Sequence, residues 1–120
     1  MYNECVLDHF QNPRNVGELP PPAVTVEVIN PACGDILRLS ASFDNGRVSA
    51  VGYRTRGCTA SIAAGSKLTE LMENRSTAEL ASLTPDKLDL ALGGLPAESK
   101  HAAVLCIDAL KLLLKKLCSA

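Results

Sequence analysis

Four side chains of the types that bind metal ions stand at turn-rich points of this sequence. Cys33 and Asp35 lie in the run NPACGD at residues 30–35, and Cys58 and His101 stand further along the chain. Together they supply two thiolates, a carboxylate and an imidazole, a donor set that suits a tetrahedral Zn²⁺ ion or a small iron–sulfur unit. The sequence therefore predicts a metal or iron–sulfur site built from these four residues.

The neighbours of the two cysteines favour this interpretation. Gly34 lets the backbone bend close to whatever Cys33 binds, and Asp35 can point its carboxylate at the same object. The alternative is that Cys33 is a small buried hydrophobic residue and Asp35 a turn former. Cys58 falls where a strand gives way to a helix, so unpaired N–H groups and the positive end of the helix dipole suit an anionic sulfur there.

The segment around His101 is notable because no cysteine directly follows the histidine. His101 falls early in the last predicted helix, where a single histidine is often a surface residue, and the next residue is Ala102. Cys106 stands one turn further on, about 5–6 Å along the helix axis. It belongs to an apolar stripe, so a core role competes with a ligand role. Cys5 and Cys118, near the two ends, are interpreted as surface thiols.

Composition limits the class of protein. The 120 residues are 47% apolar and 3% aromatic with a net charge of −1, which predicts one domain (residues 1–120) with an aliphatic core. Few aromatic rings and no basic excess argue against nucleic-acid binding. No run has the length of a membrane span. Five cysteines without an export signal lead us to expect a reducing, cytoplasmic compartment.

Hydrophobic periodicity predicts the elements that must position these groups. Alternating apolar residues indicate strands, apolar residues three and four apart indicate helices, and Asp44-Asn45-Gly46 indicates a hairpin turn. The fold class is therefore α+β: a three-stranded antiparallel sheet with helices packed on one face and a long C-terminal helix. The expected elements are a helix over 2–10, strands over 24–28, 36–43 and 48–55, a helix to about 74, short helices beginning at 76 and 84, and a helix over 96–117.

With these motifs in order, the chain closely resembles the IscU/NifU-type iron–sulfur cluster scaffold family over nearly its full length. Residues 7–17 (LDHFQNPRNVG) are similar to the family's opening segment, 30–35 and 57–66 to its first two cysteine motifs, and 95–101 to the segment before its third. The resemblance implies a scaffold that binds Fe²⁺ or a [2Fe–2S] cluster and transfers it to apo iron–sulfur proteins. Sulfur would come from a cysteine desulfurase.

The resemblance also implies roles for the four candidate ligands. Cys33 and Cys58 would hold iron and accept persulfide sulfur, and Asp35 would be the labile ligand that keeps the cluster transferable. His101 would be the fourth ligand, and Zn²⁺ is possible at the same site. Scaffold members typically carry a third cysteine where this chain has Ala102.

That departure leaves other functions open. The chain could be a scaffold-like paralogue that binds zinc or a stable cluster in a regulatory or electron-transfer role. Two chains could also share one cluster in a homodimer, with Cys33 and Cys58 supplied by each. The scaffold interpretation makes the protein a binding module rather than an enzyme. The enzyme alternative uses Cys58 as a nucleophile with His101 as base.

Overall fold

The computed structural model describes residues 2–31 and 34–119, so the predicted ligand Cys33 and the side chain of Cys118 lie outside the described residues. No helix within the described ranges is both long and apolar enough to cross a bilayer. The elements, in chain order, are α1 (Glu4–Gln11), β1 (Val24–Ile29), β2 (Ile36–Asp44), β3 (Arg47–Arg56), α2 (Thr59–Met72), α3 (Thr77–Ala81), α4 (Pro85–Ala91), a 3₁₀ turn (Ala97–Ser99) and α5 (His101–Ser119).

The sheet is an antiparallel meander in the order β1-β2-β3, which confirms the predicted α+β class. Its β2–β3 turn is formed by Asn45 and Gly46, both with positive φ, as their residue types indicated. The register places Val26 opposite Leu39 and Leu39 opposite Tyr53. All three side chains are buried and share one face. This face carries the apolar core.

Helices α2 and α5 cover that face, α2 against β3 and α5 against β1 and β2. The ring of Tyr53 lies so close to Gly65 that a Cβ at position 65 would overlap it. The Tyr53 hydroxyl also donates a hydrogen bond to the Ile62 carbonyl oxygen at 2.8 Å. These contacts fix α2 relative to β3, and so fix the position of the short connection that carries Cys58.

The short helices begin where the sequence predicted. Ser76 and Glu79 form a complete capping box on α3, and Thr84 caps α4 with Pro85 in its first turn. The prediction of a helix from residue 96 was wrong, because α5 begins at His101. Pro96 is extended (ψ 152°) and the chain first makes a 3₁₀ turn, so the histidine stands at the helix start rather than inside it.

Two cysteines outside the candidate site have side chains that the structure describes, and they differ. Cys106 is 1% exposed within the core, which confirms its core role, and burial raises the pKa of its thiol to about 12. The interpretation of Cys5 as a surface thiol was wrong. Cys5 is half-buried, packs against the core, and its Sγ lies 3.8 Å from the Ala91 carbonyl oxygen, because α1 docks beside the end of α4.

Candidate metal centre

Three separate elements bring Asp35, Cys58 and His101 together. The Cys58 Sγ lies 3.8 Å from the Asp35 Oδ2 and 4.0 Å from the His101 Nε2. The third side of this triangle, from His101 Nε2 to Asp35 Oδ2, is 3.9 Å. Asp35 comes from the β1–β2 loop, Cys58 precedes α2, and His101 is the first residue of α5. Three of the four predicted ligands therefore converge.

The loop between β1 and β2 holds Asp35 in place. The Asn30 N–H donates to the Asp35 carbonyl oxygen at 2.8 Å, and the Gly34 N–H donates to the Asn30 carbonyl oxygen at 2.7 Å. Gly34 has a φ of 77°, which explains why glycine stands there. Across the site, a Cβ at Gly57 would lie 2.7 Å from the Asp35 Cγ, so only glycine leaves room for the carboxylate.

Cys58 occupies the N-cap position of α2. Its backbone is extended (φ −78°, ψ 172°), and its carbonyl oxygen accepts the first helical hydrogen bond, from the Ile62 N–H at 3.1 Å. Its side chain makes no capping hydrogen bond and the residue is exposed. The thiol is therefore not engaged in holding the helix end and faces the carboxylate and the imidazole.

The orientation of His101 is set by its other ring nitrogen. His101 Nδ1 lies 3.1 Å from the Glu98 carbonyl oxygen. A carbonyl oxygen only accepts hydrogen bonds, so Nδ1 carries the hydrogen and the neutral ring keeps a lone pair on Nε2. That lone pair is on the nitrogen that faces Cys58 and Asp35. A backbone carbonyl in this position is one of the usual partners that orient a metal-binding histidine.

A second set of contacts anchors the segment before His101. Asp89 accepts hydrogen bonds from the Leu95 N–H at 2.7 Å and from the Lys100 Nζ at 2.8 Å. The hydrogen bond from Lys100 lowers the pKa of the Asp89 carboxyl group. These contacts hold the turn between α4 and α5, and with it the start of the helix that carries His101.

The three ligand atoms fit a small metal ion. In a tetrahedral zinc site, bonds of about 2.0–2.3 Å place neighbouring ligand atoms about 3.4–3.6 Å apart. The separations of 3.8–4.0 Å are wider by only a few tenths of an ångström. One sulfur, one nitrogen and one oxygen are also the donor types that Zn²⁺ and iron accept. The arrangement can therefore close on an ion with small side-chain movements.

Ser61 is a fourth residue at this site that the sequence analysis did not identify. Its hydroxyl donates a 2.7 Å hydrogen bond to the Asp35 Oδ2, and its Oγ lies 3.4 Å from the Cys58 Sγ. Ser61 is 2% exposed. Its position three residues after Cys58, on the first turn of the same helix, was a signal that could have found it.

A second histidine cluster, which was not predicted from the sequence, lies between α1 and α2. His9 Nδ1 lies 2.7 Å from the Ser66 Oγ, and His9 Nε2 lies 3.2 Å from a Glu70 carboxylate oxygen. The Ser66 Oγ also accepts a 2.9 Å hydrogen bond from the Arg14 N–H. Burial lowers the pKa of His9 and so favours its neutral form. Ser66 and Glu70 are four residues apart on one helix face, a spacing visible in the sequence.

Fold and site together define a small α+β domain with a candidate metal centre of sulfur, nitrogen and oxygen donors at one end of its sheet. The NifU-like N terminal domain family matches residues 1–118. The chain belongs to this family, which confirms the predicted resemblance.

Curated relatives span most of the chain. Two proteins of Archaeoglobus fulgidus, named iron-sulfur cluster assembly scaffold protein IscU 1 and IscU 2, are each 39% identical over 111 residues, covering 92% of this chain and 72% of theirs. A scaffold protein IscU of Aquifex aeolicus is 37% identical over 116 residues, covering 95% of this chain and 74% of its own.

Solved structures share the fold. The N-terminal part of a NifU-like protein from Brucella abortus matches with a TM-score of 0.73 at 18% identity, covering 95% of this chain and 94% of its own. A putative scaffold protein for the SUF system from Fervidobacterium islandicum matches with a TM-score of 0.75 at 17% identity, covering 94% and 96%. At these identities the structures support the fold alone.

Proposed function

We propose that this protein is an iron–sulfur cluster assembly scaffold. It binds iron or a [2Fe–2S] cluster as cargo on Cys33, Asp35, Cys58 and His101 and passes it to apo iron–sulfur proteins. The names of the Archaeoglobus and Aquifex relatives support this role. The observation that carries it is the convergence of a thiol, an imidazole and a carboxylate within 4.0 Å of one another, from three distant parts of the chain.

The exposure of Cys58 suits it to receive sulfur from a cysteine desulfurase. Its thiolate attacks the outer sulfur of the donor's cysteine persulfide. The donor's S–S bond breaks, the donor cysteine leaves as a thiolate, and Cys58 now carries the persulfide. Two electrons from a reductant then convert the transferred sulfur to sulfide. Asp35 supplies an oxygen ligand, which binds iron less firmly than a thiolate and so favours transfer.

Reconstitution tests the proposal directly. The protein is incubated anaerobically with a desulfurase, cysteine, Fe²⁺ and a thiol reductant, and iron, zinc and acid-labile sulfide are measured per chain. A [2Fe–2S] cargo gives about two irons and two sulfides per chain, or about one of each if two chains share it. Transfer to an apo-ferredoxin should follow. Zinc retained without sulfide would refute the scaffold role.

The role of Asp35 has its own test. Asp35→Ala removes the exchangeable oxygen ligand, so the loaded variant should transfer its cluster to apo-ferredoxin several-fold more slowly than the unaltered protein. Cys106→Ser is the control, since Cys106 is buried in the core and does not belong to the group of converging ligand atoms. Faster transfer, or no cluster binding at all by Asp35→Ala, would contradict this role for Asp35.

A resident zinc ion is the second candidate, favoured by the single-ion size of the triangle formed by Asp35, Cys58 and His101. Its presence would make the chain a zinc-binding relative of the scaffolds, with Ala102 in place of a further thiol. Sedimentation of the unloaded and reconstituted protein separates a shared cluster from either single-chain form. A shared cluster doubles the mass on loading, whereas cargo or zinc held by one chain leaves it unchanged.

A further inference from the structure

Ser61 is placed to control the Asp35 carboxylate. It lies on the first turn of α2, is 2% exposed, and donates to the Asp35 Oδ2 at 2.7 Å. This is the same oxygen that lies 3.8 Å from the Cys58 Sγ and 3.9 Å from the His101 Nε2. Ser61 therefore holds the carboxylate oxygen that faces the other two ligands.

The hydrogen bond has a fixed direction. A carboxylate oxygen only accepts, so the single proton of the Ser61 hydroxyl points to Asp35. The 3.4 Å contact between the Ser61 Oγ and the Cys58 Sγ leaves the serine oxygen as the acceptor there. When Cys58 loses its proton to bind an ion, Ser61 has no second proton to give it. Ser61 therefore acts on Asp35 and leaves the sulfur free to bind cargo.

We propose that Ser61 is a positioning residue of the cargo site, which holds the Asp35 carboxylate so that it meets the ion bound by Cys58 and His101. The inference rests on the proposed function, because it takes Asp35 to be a cargo ligand. A hydrogen-bonded carboxylate oxygen keeps a second lone pair for the ion, so the serine and the ion bind together. Partners that orient metal ligands in this way typically change metal affinity by about 10- to 100-fold.

The hydrogen bond has a second effect that opposes the first. By drawing electron density from Oδ2 it makes that oxygen a weaker donor to the ion. Without Ser61, however, this buried carboxylate would lose the 2.7 Å hydrogen bond that holds its Oδ2 beside Cys58 and His101. We therefore expect the orientation of Asp35 to outweigh the weaker donor strength of its oxygen. Loss of the Ser61 hydroxyl should then lower the affinity of the site for a metal ion.

Titration with Co²⁺ alone tests the inference without a desulfurase or cluster assembly. Ser61→Ala should bind Co²⁺ about 10- to 100-fold more weakly than the unaltered protein. At saturation it should keep the sulfur-to-cobalt charge-transfer band, because Cys58 is retained. Ser61→Thr, which keeps the hydroxyl, should restore much of the affinity. Ser66→Ala is the matched control: it removes another buried serine hydroxyl from α2 but should leave Co²⁺ affinity within about twofold.

A double-variant comparison separates positioning from a general structural effect. In an Asp35→Ala background, Ser61→Ala should cause no further loss of Co²⁺ affinity, because the carboxylate that Ser61 holds has gone. Circular dichroism establishes that each variant is folded before titration. Unchanged or tighter Co²⁺ binding by Ser61→Ala overturns the inference, as does an equal loss with and without Asp35. Failure of the unaltered protein to bind Co²⁺ overturns it too.

The outcome is distinguishable from that of the scaffold proposal. If reconstitution yields no sulfide but Co²⁺ binding depends on Ser61 through Asp35, the positioning role stands and the scaffold role fails. If clusters assemble and transfer while Ser61→Ala binds Co²⁺ normally, the scaffold role stands and the inference fails.

Discussion

The two histidine clusters of this protein use the same kinds of side chain for opposite purposes. Each combines an imidazole with a carboxylate and a serine hydroxyl from α2. Around His9 the contacts are 2.7 Å and 3.2 Å, so both ring nitrogens already have partners. Around His101 the contacts to the thiol and the carboxylate are 4.0 Å and 3.9 Å. These gaps are too long for strong hydrogen bonds and suit an ion placed between the groups.

Position in the fold explains the difference. His9 lies within α1, where two helices pack side by side and exclude water, and its side chain is 4% exposed. His101 stands where the end of the sheet and the starts of α2 and α5 meet, and its side chain is 36% exposed. Packed helix faces favour direct contacts, whereas converging element ends leave room for a ligand. The closed cluster, formed by His9, Ser66 and Glu70, stabilises the fold. The open cluster, formed by Asp35, Cys58, Ser61 and His101, is available for binding.

The largest expected effect lies in the open cluster. Cys58→Ser should abolish cluster binding in reconstitution, because it removes a thiolate ligand and sulfur acceptor. Stability should change by no more than about 0.5 kcal/mol, since the residue is exposed and its side chain does not cap α2. Acid-labile sulfide and urea unfolding measure the two quantities. A normal content of acid-labile sulfide in this variant would show that Cys58 is not a cargo ligand.

The closed cluster should show the reverse pattern. His9→Ala leaves a cavity and strips Ser66 and Glu70 of a buried partner, so the free energy of unfolding should fall by about 2–4 kcal/mol. Co²⁺ affinity, measured well below the unfolding transition, should stay within about twofold. If His9→Ala weakens Co²⁺ binding strongly, the two clusters are coupled and the contrast between them fails.

Gly57→Ala tests how tightly the open cluster is built. The added Cβ would lie 2.7 Å from the Asp35 Cγ, so the carboxylate must move away from Cys58 and His101. We expect Co²⁺ affinity to drop by about tenfold, within the range typical for misoriented ligands, with the helix content by circular dichroism unchanged. Gly46→Ala, on the β2–β3 turn, is a control for a glycine-to-alanine change away from the site. Full affinity in Gly57→Ala would contradict this steric role.

The smallest effect is a pH dependence that belongs to the closed cluster. Because the pKa of His9 is lower in the folded protein than its ordinary 6.5, the unfolded chain binds more protons below that pH. The contribution of neutral His9 to the free energy of unfolding is complete above pH 6.5. It is lost as the pH falls below that value, by at most about 1.4 kcal/mol per pH unit.

His9→Gln should flatten this decline in urea unfolding measured from pH 7.5 to pH 5. The pKa values of the carboxyl groups of Asp8, Glu18, Glu79 and Asp89 are also lowered, from ordinary values of 3.8 and 4.5, so their contributions fall away only at more acid pH. An identical pH dependence in the variant and the unaltered protein would exclude His9 as its source.

Much of the fold was predictable because its signals are local. Alternating valines in β1, the Asn45-Gly46 turn and the Ser76–Glu79 capping box each act within a few residues, and the structure confirms all three. Contacts between distant segments left no such trace. Tyr53, for example, pairs its backbone with Asn15 and Gly17, a bridge onto β3 that no periodic pattern indicated.

The candidate site could also be predicted in part from the sequence. Its ligand types were visible in the sequence, and Asp35, Cys58 and His101 do converge. Cys33 as a ligand remains a prediction, outside the described residues. The sequence missed Ser61 because serine at a helix start is usually a neutral choice, and its importance arises only from a carboxylate 26 positions away. It misplaced the start of α5 because Pro96 suits a first helical turn as well as the extended backbone it adopts.

The proposed cargo role of His101, which is the first residue of α5, would link cargo binding to folding. An ion that binds the folded chain and not the unfolded one stabilises it by mass action, by about 2.7 kcal/mol at a hundred times the dissociation constant. Helix ends are also where local opening costs least. We therefore expect release of a bound ion to loosen the first turn of α5, where His101 stands. Backbone amides just after His101 should exchange hydrogen with solvent faster in the unloaded protein, while amides in the middle of α5 remain protected.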